Sequence, residues 1–208
     1  MAHHHTHEEA QAEELAFWLS PGAELGEQLK QLTYAPLLGL DFEHDGNSPY
    51  VIHKPNKSII DIGGGPVSLL LKTKATLKTV IDPCSYPAWV RSRYEQNDVR
   101  WIKDVAETYQ PELAETADEV WLYNVLQHTT DPQKIFENVL RYLKSGGVFR
   151  FFDWVETGTN IAHPISLTVK DINEYLLAAG FTNFTIRTAE LHENGAYGKA
   201  AYFSIRKD

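Results

Sequence analysis

Three features of the sequence carry residue types that could do chemistry. The run Ser58-Ile59-Ile60-Asp61-Ile62-Gly63-Gly64-Gly65-Pro66 puts a carboxylate and three glycines at the end of a β-branched stretch. Glycine permits positive φ in a sharp turn, and its missing side chain lets a ligand approach the backbone. Such a turn, at the carboxyl end of the first strand of an α/β sheet, is where nucleotide-like cofactors bind. Two acids further on, Asp82 and Asp104, follow short strand-like runs and can accept hydrogen bonds. His128 comes last, after Asn124-Val125-Leu126-Gln127. An imidazole with a pKa of about 6.5 suits proton removal at neutral pH.

These groups need a scaffold, and the pattern from residue 57 onward supplies one. Strand one is expected over 58–62, with a helix from about 66 to 74. Strand two follows at 77–82, a helix at 87–96, strand three at 99–102, a weak helical segment at 105–116 and strand four at 119–124. The next helix has Asp131 as cap, Pro132 in its first turn, Gly146 past its end, and an apolar stripe of Ile135, Phe136, Val139, Leu140 and Leu143. Strand five is expected at 147–153. The last helix opens on Thr168-Val169-Lys170-Asp171, close to a capping box, and Gly180 ends it. Two strand-like runs, 181–190 and 196–206, flank the turn signal Glu193-Asn194-Gly195. No helix fits between them, so they must be antiparallel neighbours.

The expected fold is therefore α/β: a doubly wound seven-stranded mixed sheet with helices on both faces and an antiparallel last strand. Residues 1–56 read as an N-terminal helical appendage, expected to act as a lid, with helices at 8–19 and about 23–32. Leu25, Leu29 and Leu32 share one face of the second, and 41–56 read as loop. The core domain is expected over 57–208.

Composition narrows the function classes. The chain has 208 residues, 43% hydrophobic and 23% charged, enough for one full-sized core. Its formal charge of 19 − 28 = −9 weighs against non-specific nucleic-acid binding, which depends on phosphate neutralisation by Lys and Arg. Arg91 and Arg93 with Lys72, Lys74 and Lys78 read as solvated surface. The single Cys84 excludes an intramolecular disulfide and suits a reducing, cytoplasmic setting. No apolar run is long enough for a membrane helix, and residues 1–7 lack the apolar region of a signal peptide. The histidines of that segment read in part as a purification tag. The remaining histidines and Cys84 give no metal site.

The order of elements and motifs resembles the class I S-adenosylmethionine-dependent methyltransferases over about residues 57–206. Asp61-Ile62-Gly63-Gly64-Gly65 matches that family's acid-x-Gly-x-Gly loop, although Val67 stands where its third glycine falls. The closing hairpin corresponds to the family's strands six and seven. The resemblance implies S-adenosylmethionine as cofactor. Backbone amides at Gly63, Gly64 and Gly65 would hold its methionine moiety, with Asp61 accepting from the ammonium. Asp82, followed by Pro83, would accept from the ribose hydroxyls, and Asp104 with the Val105 amide would meet the adenine. Asn124 would line the cofactor. The segment Asn124–Pro132 is similar to the one after strand four in many small-molecule methyltransferases, which places His128 near the methyl group.

Methyl transfer from a sulfonium is a direct displacement, so the protein supplies alignment and a dry pocket, and a base where the acceptor bears a proton. His128 is read either as that base or as a structural residue fixing the helix start. His163, in the loop after strand five, is the second candidate, and Tyr34 and Trp154 are candidate pocket walls. A dinucleotide cofactor fits poorly, because Ser68 stands where its fingerprint wants glycine or alanine. The expected acceptor is a small molecule. Nucleic acid or protein as acceptor, and a cofactor-binding subunit without turnover, are the alternatives. The acceptor and the oligomeric state are not readable from the sequence.

Overall fold

The computed structural model describes residues 7–48, 50–193 and 196–208. Seven strands form one sheet in the order β3-β2-β1-β4-β5-β7-β6. They are β1 (Ile52–Ile62), β2 (Thr73–Ile81), β3 (Val99–Ile102), β4 (Ala117–Tyr123), β5 (Leu143–Val155), β6 (Arg187–Glu193) and β7 (Ala196–Arg206). Strands β1 to β5 pair in parallel, and β7 runs antiparallel to both β5 and β6. The mixed sheet and its closing hairpin are as the sequence implied. The turn residues Asn194 and Gly195 lie outside the described residues.

Five α-helices accompany the sheet among the described residues: α1 (His7–Trp18), α2 (Ala23–Leu37), α3 (Ala88–Gln96), α4 (Pro132–Tyr142) and α5 (Val169–Ala179). Side chains alternate along each strand, so each strand feeds two cores. Ile60, Ile62, Val120, Leu122, Phe149, Phe151 and Phe203 pack under α4 and α5. Ile59, Val80, Trp121 and Phe152 face the other way, against Tyr34 and Ala35 of α2 and Val90 and Tyr94 of α3. The signals that bound α4 and α5 act locally as expected at three points. Asp131 accepts from the Lys134 amide at 3.2 Å, Thr168 and Asp171 form a full capping box, and Gly180 closes α5 at φ 103°.

Four expectations are corrected. The helix expected over 66–74 is replaced by two short 3₁₀ turns, Gly65–Val67 and Leu69–Lys72, and β2 begins directly at Thr73. The link between the strands is too short for a full helix. Thr73, Thr76 and Thr79 also favour an extended chain. Similarly, 105–116 holds only one 3₁₀ turn, Pro111–Leu113. Strand β1 starts at Ile52, inside the segment read as loop, and pairs with β2 across a register break between Lys54 and Ser58. Helix α4 stops at Tyr142, and Leu143 and Gly146 belong to β5.

The missing helix explains an inversion in α2. Its leucines 25, 29 and 32 face solvent, whereas Glu27, Gln31, Tyr34 and Ala35 are buried. Gln31 Nε2 donates to the Val67 carbonyl at 2.6 Å, and Lys72 Nζ donates to Gln31 Oε1 at 2.7 Å. A polar helix face turns inward because the irregular backbone beneath it lacks helical partners for its carbonyls.

Phe151 sits in the aromatic cluster with Phe136, Phe149 and Phe203, fully buried. Phe151→Ala is expected to lower stability by about 3–5 kcal/mol, because the hole it leaves is walled by other rings that cannot collapse. Urea unfolding measures this; a change under about 1 kcal/mol would contradict the packing.

Candidate active site

A cavity of about 100 Å³ opens at the carboxyl ends of β1, β2 and β4. Its floor is the glycine turn. Gly63 stands at φ 72°, and a Cβ there would lie 2.5 Å from the Val125 side chain. Gly65 stands at φ 60°, and its Cβ would press on the Trp18 ring at 3.2 Å. Both positions thus need glycine for conformation and for space.

No helix continues the turn, so side chains hold it. The Gly65 amide donates to Asp82 Oδ2 at 2.9 Å, and the Tyr94 hydroxyl donates to the Gly65 carbonyl. Arg93 Nη1 reaches the Pro66 carbonyl at 3.1 Å, and the Leu69 amide donates to the Tyr123 hydroxyl at 2.9 Å. The Gly65 and Pro66 carbonyls and the Leu69 amide are thereby satisfied where a helix would otherwise have paired them, and the Gly65 amide where a helix start leaves it open.

Asp61 lies beneath the turn, fully buried. Its Oδ2 accepts from Ser68 Oγ at 2.5 Å and from the Tyr123 hydroxyl at 2.9 Å, while Oδ1 has no partner. Burial pushes its carboxyl up to about 7. Asp82 lines the cavity. Its Oδ1 accepts from the Cys84 amide at 3.0 Å, and burial raises it to about 6. Beside it the Cys84 thiol is pushed up to about 12 by burial, which keeps it inert as a nucleophile.

The second wall is the loop from Asn124 to Thr129. Asn124 adopts φ 59°, a left-handed conformation that Asn tolerates better than most residues. Asp153, at the end of β5, fixes the backbone of the next two residues. Its Oδ2 accepts from the amides of Val125 at 3.1 Å and Leu126 at 2.7 Å, and its Oδ1 from the Trp154 amide at 2.8 Å. Burial puts this acid, too, at about 7. The sequence reading missed Asp153. Its signal was an acid closing an otherwise aromatic strand, Phe151-Phe152-Asp153-Trp154.

His128, at the far end of this loop, lines the cavity. Its Nδ1 lies 2.8 Å from the Ala162 carbonyl. A carbonyl only accepts, so Nδ1 carries the proton and Nε2 the lone pair. Burial lowers the imidazole pKa, keeping the ring neutral. His163 meets it edge-to-face, with centroids 4.6 Å apart.

The cavity therefore gathers Gly63, Gly64, Gly65, Asp82, Pro83, Val105, Asn124 and His128 from the sequence-predicted set. Asp61 supports it from beneath. Asp104 turns to its own loop, accepting from the Val105 amide at 2.8 Å and Gln110 Nε2 at 2.9 Å. Tyr34 and Trp154 are not among its lining residues. Tyr34 stacks on Phe152 at 4.3 Å in the core, and Trp154 covers Gly198, where a Cβ would meet it at 2.7 Å. Helices α1 and α2 add lining from the N-terminal segment through Gln11, Glu14, Trp18, Glu27 and Gln31, none of which the sequence singled out.

This fold and this turn define an α/β protein that binds a nucleotide-like cofactor at the carboxyl edge of its sheet. The comparisons carry the identification further. Residues 60–151 match a family model described as a methyltransferase domain. A methyltransferase from Thermotoga maritima, described as a possible histamine N-methyltransferase, superposes with a TM-score of 0.65 at 16% identity, over 97% of this chain and 98% of that one. The Burkholderia thailandensis 1,6-didemethyltoxoflavin-N1-methyltransferase gives 0.60 at 16%, over 95% and 90%. The Haemonchus contortus phosphoethanolamine N-methyltransferase 2 gives 0.63 at 14%, with 86% of this chain spanning about half (52%) of that one. At these identities the superpositions show the fold alone. No curated protein matches in sequence. Residues 60–151 are thus similar to a methyltransferase domain, and the chain as a whole shares the fold of solved methyltransferases.

An exposed carboxyl in the unfolded chain titrates at about 4. Asp61 and Asp153 at about 7 and Asp82 at about 6 are all raised, so between these values the folded chain binds more protons than the unfolded one. The protein without cofactor should thus lose stability as pH rises from about 4 to about 7. Asp61→Asn should flatten that slope. Chemical unfolding at about pH 5 and about pH 7.5 checks this, and an unchanged slope in the variant would count against a raised Asp61.

Proposed function

We propose that this enzyme transfers the methyl group of S-adenosylmethionine to a small-molecule acceptor, with His128 as the base. The observation that carries this is one cavity shared by the glycine turn, Asp82 and a neutral His128. Its acidic lining, Glu14, Glu27, Asp82 and Glu107, includes no Lys or Arg, which disfavours a phosphate-rich acceptor.

The residues fit the cofactor on two counts. The buried Oδ1 of Asp61 lacks a donor, and an ammonium or a water bridging to one supplies it. The backbone of Gly63–Gly65 lines the cavity with no side chains of its own, as close approach of a nucleotide-like ligand requires. Asp82 would accept from the ribose, since its two carboxylate oxygens have more acceptor capacity than the Gly65 and Cys84 amides and the Tyr86 side chain use. Pro83, Val105 and Asn124 would flank the nucleoside, and Asp104 would act by shaping the Val105 turn. When bound, the cofactor supplies a sulfonium-activated methyl group. His128 Nε2 is free to take the acceptor's proton, and the bound ligands with α1 over the site would exclude water.

Residues 1–56 would serve as wall and lid, because α1 and α2 close the side of the cavity that the core leaves open. His163 and the loop carrying it would border the acceptor. The lone buried thiol accords with a cytoplasmic setting, and among the described residues no helix is long and apolar enough to cross a membrane. Nor do the described residues hold a metal-binding cluster.

Calorimetric titration with S-adenosylmethionine, followed by a metabolite screen for methyl transfer, tests the reading; no binding at millimolar cofactor would end it. Asp82→Ala should weaken cofactor binding by about 2–3 kcal/mol, some 30- to 150-fold, with the fold intact. His128→Gln should lower kcat and leave cofactor affinity alone. Unchanged binding in the Asp82 variant would mean the ribose lies elsewhere.

A further inference from the structure

Glu14 stands at the rim of the cavity, on α1, with no part in the roles assigned above. Its Oε1 accepts from Trp18 Nε1, one helical turn on, at 2.7 Å. Its Oε2 lies 3.6 Å from His128 Nδ1. The ring nitrogen it approaches is the protonated one, already bonded to the Ala162 carbonyl. The carboxylate therefore sits on the side of the imidazole opposite the lone pair. That is where a negative charge favours gain of a proton at Nε2 without blocking it.

We propose that Glu14 is a positioning residue for His128: α1, laid across the cavity, brings the carboxylate that stabilises the imidazolium formed when Nε2 takes the acceptor's proton. This rests on His128 acting as the base. In the step, an Nε2–H bond forms as the acceptor's X–H bond breaks, and the bonding pair stays on X. No further co-reactant is required. A base that is complete only with α1 in place ties proton removal to closure of the site, when water is excluded.

The surrounding charges are consistent with a ring that is neutral at rest. Burial lowers His128 and His163 and raises Glu14, Lys30 of α2 acts on all three by its positive charge, and the Glu14 carboxylate also favours the charged form of His163. Asp82 is the next carboxylate inward and feels Glu14. Glu27 offsets Lys30, 3.8 Å from its ammonium.

The test is an NMR titration of nitrogen-15-labelled histidines in the full chain without cofactor, comparing wild type with Glu14→Gln. Glutamine keeps the bulk and an acceptor for Trp18 but loses the charge. The pKa of His128 should fall by about half a unit or more in the variant, roughly a threefold loss in proton affinity. Glu14→Asp, which keeps the charge, should restore part of the shift, whereas a purely structural role would treat both variants alike. The shift should persist in a His163→Gln background. If His128 titrates identically with Glu and Gln at position 14, the proposal is overturned. Calorimetry with S-adenosylmethionine separates the two readings: failure of wild type to bind ends the proposed function, while an unshifted His128 ends this inference alone.

Discussion

The site depends on buried carboxylates that end strands and collect backbone amides. Asp82 at the end of β2 ties down Gly65, and Asp153 at the end of β5 ties down Val125 and Leu126. Between them they fix both loops that border the cavity. An uncompensated buried carboxylate is expensive, so each is held by donors on well-packed backbone. Their raised pKa values show that the compensation is partial. Asp61 is the extreme member, with two hydroxyl donors on one oxygen and none on the other. A site organised in this way is tense without its ligand, and a bound cation relieves it.

The shortened link between β1 and β2 sets the second constraint. A full helix after the glycine turn would cover the sheet and pair its own backbone. Here the two 3₁₀ turns do neither completely. Gln31, Arg93, Tyr94 and Tyr123 take over the pairing. Helix α2 takes over the covering, with Tyr34 and Ala35 packed above Ile59 and Leu69. The polar inner face of α2 and its exposed leucines result from that substitution.

What the sequence revealed and what it hid divide along physical lines. The strands β3, β4 and β7, the caps of α4 and α5, and the glycine turn are local features with strong signals, and they were legible. Asp61, Asp82 and His128 could be placed because Asp61 lies near the end of a strand whose direction was clear and the other two follow such strands. The helix after Gly65 was misjudged because Leu69, Leu70 and Leu71 have helical propensity, while the length of the link is decided by where β2 begins. Tyr34 and Trp154 were drawn into the site on ring type alone, and core packing claimed both. The contributions of Glu14, Trp18 and Gln31 were illegible for another reason. They depend on how two N-terminal helices fold back over a sheet that starts well after them in the chain, and nothing in their own neighbourhood encodes that contact.

The two N-terminal helices are unequal in their attachment. Helix α2 is anchored to the core by Gln31 and Tyr34, but α1 touches the floor mainly through Trp18 on Gly65 and Glu14 beside His128. The joint between them contains Gly22, at φ 86° with open space around it. A glycine so placed leaves the angle between the two helices unconstrained by side-chain contact at that joint. Whatever enters the cavity past α1 meets a wall whose own attachment rests on these few contacts.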